Sequence, residues 1–189
     1  THELMADIDK DTADFQPNYD EKELEPKVMP TRFPNLLVNG SAGIAVGMAT
    51  NLVPHNVGEV LNGARHLLRN PDATLAEIMT LIPGPDFPSG GVIVGLDGVR
   101  DAYETGRGAF KVRARTRIEQ VTPRRRGIVV TELPYNVGPE RIIDRIKDAV
   151  QAKKLEGISD VVDLTDGDSG LHLVIEIKNG FHPEAVLEH

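Results

Sequence analysis

An α+β fold is predicted from three features of the sequence. Segments with apolar residues at helical spacing are interspersed with segments that alternate strictly by two. The strands come as neighbours joined by tight turns, Thr122-Pro123-Arg124-Arg125-Arg126-Gly127 and Asp166-Gly167-Asp168-Ser169-Gly170, so they pair antiparallel. The one glycine-rich stretch, Gly40–Thr50, has neither the Gly-x-Gly-x-x-Gly nor the Gly-x-x-x-x-Gly-Lys spacing of a nucleotide-binding β–α–β unit. With 189 residues, 40% of them apolar, the chain can form one compact domain, or one and a small appendage.

The elements follow in order. Leu4, Ile8 and Phe15, helped by Met5, sit near helical spacing, so residues 1–14 are expected to end an amphipathic helix. Residues 16–34 carry Pro17, Pro26, Pro30 and Pro34 among many charges and are expected to be extended linker. Residues 35–38 form a short apolar run closed by the turn signal Asn39-Gly40. Residues 54–68 read as a helix, and Thr74–Leu81 as another with Thr74 as N-cap and Glu77 completing a capping box. After the break Pro83–Pro88 come a short strand at Val92–Val94 and a helix at Val99–Thr105 ended by Gly106. Residues 109–121 alternate, with Lys111, Arg113, Arg115 and Arg117 on one face and Val112, Ala114, Thr116 and Ile118 on the other. Ile128–Leu133 returns as a strand, Gly138-Pro139-Glu140 starts a helix running to Leu155 with Gly157 as its cap, and a second hairpin spans 158–177.

Charge distribution matters more than its total. The formal net charge is −8, yet residues 1–25 hold nine acids against two lysines, while residues 107–126 hold eight bases against one acid, Glu119. A polyanion within a Debye length of about 10 Å responds to that local strip and not to the sum. The same strip is equally that of a solvated strand whose arginines pair with the chain's own acids.

Several chemistries are excluded. The absence of cysteine removes disulfides, thiol nucleophiles and cysteine zinc sites. The six histidines are scattered singly, with no pair at metal-ligand spacing. Asp7-x-Asp9-x-Asp11 lacks the glycine and the terminal glutamate of a calcium loop, having Thr12 and Asn18 there. No apolar run approaches the ~20 residues of a membrane helix. Tyr19, Tyr103 and Tyr135 could each attack a phosphodiester in principle, but core or surface roles fit each better. His55, near a helix start, suits capping or a backbone phosphate contact. Gly40–Thr50 fits a tight hairpin of thin strands with one branched residue, Ile44, among small neighbours, unless Ile44 is simply core. The opening reads as mid-helix text and the end stops inside a helical pattern, as expected of a piece of a longer protein, and Leu187-Glu188-His189 resembles a tag junction.

The run Phe33–Asn51 followed by Pro54-His55-Asn56 resembles the A subunit of bacterial type IIA DNA topoisomerases, the gyrase and topoisomerase IV family. Further resemblance lies in Asn18-Tyr19-Asp20, Gly84-Pro85-Asp86-Phe87-Pro88, Ala102-Tyr103-x-Thr105-Gly106-Arg107-Gly108, Thr131-Glu132-Leu133-Pro134-Tyr135, Leu155–Ile158 and Val174–Lys178, in order along the whole chain. Residues 122–127 and 177–184 are more similar to topoisomerase IV of actinobacterial type than to gyrase.

The resemblance implies an architecture and a role. Residues 1–30 correspond to the tail of the winged-helix DNA-cleavage domain plus linker. Residues 31–189 correspond to the tower domain, whose antiparallel hairpins are packed by helices and which includes a DNA-bending hairpin at about 39–51. In the family an isoleucine of this hairpin inserts between base pairs; the matching residue is Ile44. Arg32, Asn39, Ser41 and Gly43 are expected beside the bent duplex, and Arg107, Lys111, Arg113, Arg115 and Arg117, with Arg124–Arg126 beyond, along its arm. The nucleophilic tyrosine lies in an Arg-Tyr-Thr motif upstream of Thr1, so the resemblance implies no catalytic residue, metal or cofactor in this segment. Mg2+ and ATP belong to the topoisomerase's B subunit. The implied partners are double-stranded DNA, that B subunit, plus a second copy of the A subunit in an A2B2 complex, in the bacterial cytoplasm at the nucleoid and without a membrane. A stand-alone, non-enzymatic DNA-binding or scaffold module is the alternative.

Overall fold

The structure is a computed structural model that describes residues 2–188. The chain divides into two compact units, Thr1–Asp86 and Phe87–His189, whereas the boundary drawn from the resemblance falls at 30/31. The tag-like tripeptide is described only at Leu187 and Glu188, since His189 lies outside the described residues.

In the first unit, helix α1 (His2–Met5) is only one turn long, shorter than the helix expected over 1–14. Turns replace it from Ala6 to Asp11, where Asp11 takes a left-handed φ of 55°. The expected linker contains a small antiparallel ribbon of β1 (Phe15–Pro17) and β2 (Leu24–Pro26). Asn18 makes this ribbon possible, because its side-chain oxygen accepts from the backbone N–H groups of Lys22 (3.2 Å) and Glu23 (3.3 Å). Residues 35–38 lie in a short helix, α2 (Asn35–Asn39). The hairpin follows, with β3 (Ser41–Ala45) antiparallel to β4 (Met48–Leu52).

Helix α3 (Val57–Arg69) starts three residues after Pro54, because Asn56 is the N-cap and accepts from the N–H groups of Gly58 and Glu59. Helix α4 (Leu75–Leu81) carries the expected capping box: the Thr74 hydroxyl accepts from Glu77 N–H (3.3 Å) and the Glu77 carboxylate accepts from Thr74 N–H (2.7 Å). The Thr74 N–H foremost, and then the Thr74 hydroxyl, which donates to the same carboxylate (3.0 Å), hold the Glu77 carboxyl below its usual range.

In the second unit, β5 (Val92–Val94) and β6 (Lys111–Arg113) form a two-stranded ribbon around helix α5 (Asp97–Thr105). A four-stranded antiparallel sheet of order β7-β8-β10-β9 forms the centre, from β7 (Arg115–Thr122), β8 (Arg125–Glu132), β9 (Ile158–Asp163) and β10 (Leu173–Ile177). Two hairpins are therefore joined by helix α6 (Pro139–Gln151), and the second inserts β10 beside β8. Pro139 occupies the first helical position, as the sequence predicts, but α6 ends at Gln151 rather than Leu155, with Lys153 left-handed. Helix α7 (Pro183–Glu188) closes the described chain.

The core lies on one face of this sheet. Ile128, Val130, Leu173, Ile175 and Ile177 are buried there, with Ile142, Ile143, Ile146 and Val150 of α6 packed against them. Leu173 is 0% exposed in the centre of this cluster. Leu173→Ala is expected to destabilise the second unit by about 2–5 kcal/mol, because the rigid surroundings cannot collapse into the space left behind. Thr74→Ala is expected to cost the first unit about 1 kcal/mol by removing the cap. Urea unfolding followed by circular dichroism measures both, with the larger midpoint shift expected for Leu173→Ala.

Candidate nucleic-acid interface

The hairpin β3–β4 has every residue exposed along both strands. Its register pairs Ile44 with Ala49, Ala42 with Asn51 and Gly43 with Thr50. Directly opposed residues share a face, so Ile44 stands among Ala42, Ala49 and Asn51, all smaller than itself. The opposite face carries Ser41, Gly43, Ala45, Met48, Thr50 and Leu52. Ile44 is 95% exposed, which removes the core reading. The tip is a two-residue loop, Val46-Gly47, with Gly47 at a φ of 82° that residues with a Cβ rarely adopt. Sequence reasoning singled out Ile44 and passed over Val46, in the turn, and Met48, on the opposite face, which are also exposed.

The base of the hairpin is built from backbone and one histidine. Gly40 takes a φ of 68°, and a Cβ there would lie 2.3 Å from the carbonyl oxygen of Leu52, so only glycine lets the two strand ends approach this closely. His55 is 7% exposed and its Nδ1 lies 2.9 Å from the carbonyl oxygen of Leu37, while its backbone N–H donates to Val38 (3.2 Å). The cap of α3 is the neighbouring Asn56, so the capping role expected of His55 is corrected.

The cationic residues divide into held and unheld. Arg32 grips Asp7 with two nitrogens, Nε to Oδ2 at 3.2 Å and Nη2 to Oδ1 at 3.3 Å, with Glu3 at 3.7 Å. These bonds from Arg32, joined by one from Lys10, bring the Asp7 carboxyl down to about 2. Asn39 donates its side-chain amide to Asn35, leaving Ser41, Gly43 and Ile44 as the expected hairpin residues without a side-chain partner among the described residues.

In the second unit exposure alternates without a break from Phe110 to Glu119, so Lys111, Arg113, Arg115 and Arg117 all face solvent as the pattern predicts. The strip is nonetheless shared between two sheets, Lys111 and Arg113 on the β5–β6 ribbon and Arg115 and Arg117 on the edge strand β7. Arg115 is held by Glu132 (Nε–Oε1 3.0 Å), whose other oxygen accepts from Gly91 N–H at 2.7 Å. The Gly91 bond first and Arg115 second depress the Glu132 carboxyl. Arg125 pairs with Glu176 (3.2 Å) and Arg126 with Glu184 (3.1 Å). Arg107, Lys111, Arg113, Arg117 and Arg124 have no acidic partner among the described residues. Arg107 follows α5 where its N–H donates to the Thr105 hydroxyl at 3.2 Å. Of the tyrosines, Tyr19 is exposed and Tyr135 stacks on Phe87, with ring centroids 5.7 Å apart.

The first unit thus presents an exposed hairpin, and the second a set of exposed cations without an acidic partner among the described residues. The family of DNA gyrase/topoisomerase IV A subunits matches residues 1–189, and the chain belongs to that family. It is 53% identical over 186 residues to the DNA gyrase A subunit of Granulibacter bethesdensis, covering 98% of this chain and 20% of that protein. It is 53% identical over 185 residues to the DNA gyrase A subunit of Chlamydia pneumoniae (97% of this chain, 22% of that protein). For the DNA gyrase A subunit of Pseudomonas aeruginosa the identity is 52% over 190 residues (100% of this chain, 20% of that protein). The chain thus spans about a fifth of the length of these relatives. No helix among the described residues is long and apolar enough to cross a membrane.

The Asp7 carboxyl gives a pH prediction with a definite sign. Its folded value of about 2 is below the ordinary 3.8, so the Arg32–Asp7 pair contributes stability fully above pH ~4 and loses it as pH falls through 2. A carbon-detected NMR titration should place the Asp7 midpoint near 2 and return it toward the ordinary carboxylate range in Arg32→Gln.

Proposed function

We propose that this chain is the DNA-bending and arm-holding segment of the A subunit of a type IIA topoisomerase. The observation that carries the reading is Ile44, almost wholly exposed on a thin hairpin among small residues. An apolar wedge at a base step unstacks it at a cost of a few kcal/mol and kinks the duplex. Burying one isoleucine returns about 1.5–3 kcal/mol, so the wedge alone roughly breaks even. Net affinity must come from phosphate contacts, and the bend is what brings more phosphate within reach of protein cations.

In the second unit Arg107, Lys111, Arg113 and Arg117 are the cations available for that contact, since each has no acidic partner among the described residues. Arg115 contributes through the strip's potential while its own guanidinium is held by Glu132. Arg32 joins the DNA surface only by releasing Asp7. Ser41 and Gly43 approach the duplex backbone from the hairpin, and Asn39 helps through its bond to Asn35.

The Arg-Tyr-Thr motif of the family's nucleophile does not occur in the chain, so strand cleavage is assigned to a tyrosine elsewhere in the parent protein. This segment is then silent alone, and ATP and Mg2+ act on the B subunit of an A2B2 assembly. The relatives reported above are all gyrase subunits, which weighs against the preference for topoisomerase IV drawn from residues 122–127 and 177–184.

Two measurements test the proposal on the full-length protein. Ile44→Ala should abolish bending of a doubly fluorophore-labelled duplex while the melting temperature stays within a degree or two, as expected for an exposed side chain. Unchanged energy transfer would refute the wedge. Reversing Arg113 and Arg117 to Glu should make the slope of log affinity against log salt shallower by about 1–2. An unaltered slope would assign both residues to solvated surface.

A further inference from the structure

Every residue of the two strands is exposed, so burial of a face does not fix where Ile44 points. A two-stranded ribbon alone is marginal in water. We infer that Pro54-His55-Asn56, together with Asp86, is the positioning device of the hairpin, and that the Nδ1–H group of His55 is its central bond. This inference rests on the DNA-bending reading above and assigns roles to residues that touch no DNA.

Each residue of the tripeptide ties the outgoing strand to a different part of the first unit. The His55 N–H donates to Val38 (3.2 Å) and His55 Nδ1 lies 2.9 Å from the Leu37 carbonyl oxygen, so the segment leaving the hairpin is stapled to the helix α2 that enters it. A carbonyl oxygen only accepts, so Nδ1 carries the proton. The Pro54 carbonyl accepts from Asp86 N–H (3.0 Å), and Asn56 Nδ2 donates to Asp86 Oδ2 (3.0 Å) while its oxygen caps α3. The hairpin is thereby held at its entry by α2 and at its exit by α3 and the Gly84-Pro85-Asp86 loop. With Gly40 allowing the strand ends to close on each other, these bonds leave the neck little freedom to rotate. The energy to unstack a base step is delivered through Ile44 only if the neck resists the reaction force.

The test uses the full-length protein with the doubly labelled duplex, and melting temperature is recorded for every variant. An Asn side chain places its amide N–H where the Nδ1–H of histidine lies, whereas Leu keeps the bulk and removes the donor to the Leu37 carbonyl. His55→Leu is expected to lower the fraction of bent complexes about tenfold, and His55→Asn to restore it. Asp86→Ala, which removes only the exposed outer tie to Asn56, is expected to weaken bending about threefold with little change in melting. Wild-type bending by a folded His55→Leu, or loss of bending by a folded His55→Asn, overturns the inference. Should His55→Leu fail to fold, wild-type bending by Asp86→Ala overturns it instead. Ile44→Ala measured alongside separates the two levels: bending that survives Ile44→Ala removes the wedge itself, while bending lost in Ile44→Ala and retained in His55→Leu removes only the positioning role.

Discussion

A hairpin with no packed face depends on its neck. In most sheets the direction of a side chain is set by burial of the opposite face, which also fixes register against slippage. Here both faces of β3–β4 are solvated, so register rests on the two-residue loop at Val46-Gly47 and on the convergence of the strand ends at Gly40 and Leu52. The cost of such a design is low intrinsic stability in the element that would act on DNA. The benefit is that nothing bulky surrounds Ile44, and a duplex can close on it from either side.

Electrostatics are arranged with similar economy. The acids that make the chain negative overall are concentrated at its start, and part of that acidity is consumed internally, with Asp7 and Glu3 facing Arg32 and Lys10. In the second unit Glu132, Glu176 and Glu184 each take one arginine. Such exposed pairs contribute little stability individually. Their greater consequence is selection: they take up Arg115, Arg125 and Arg126 and leave Arg107, Lys111, Arg113, Arg117 and Arg124 of the strip without an acidic partner among the described residues. A basic strip counted from sequence is therefore larger than the set of guanidinium and ammonium groups open to phosphate.

Much of the local structure was legible in the sequence because local rules decide it. The Thr74/Glu77 capping box and Pro139 at the start of α6 depend on near neighbours and occur as read, while the alternation expected over 109–121 holds from Phe110 to Glu119. The misread elements are those where a side chain reaches beyond its own segment or a short run is ambiguous. Asn18 folds a proline-rich stretch into the β1–β2 ribbon, and three apolar residues, Leu36, Leu37 and Val38, are too few to separate helix from strand by period. At the site, Ile44 stood out by its small neighbours, but the pairing of Arg32 with Asp7, twenty-five positions away, leaves no trace in spacing. Nor does the bond from His55 to Leu37. The resemblance located Pro54-His55-Asn56 and Gly84-Pro85-Asp86 as motifs, and only coordinates connect them as one neck.

The central claim is that Ile44 enters a base step of a duplex held by this segment. Fluorescence of 2-aminopurine placed in turn at each step of a duplex bound to the full-length protein reads that event directly, because unstacking relieves its quenching. The account predicts a local rise confined to the step beside the hairpin, present with the native residue and lost with Ile44→Ala. Uniform quenching along the whole duplex, or a rise that persists without the isoleucine side chain, would contradict it.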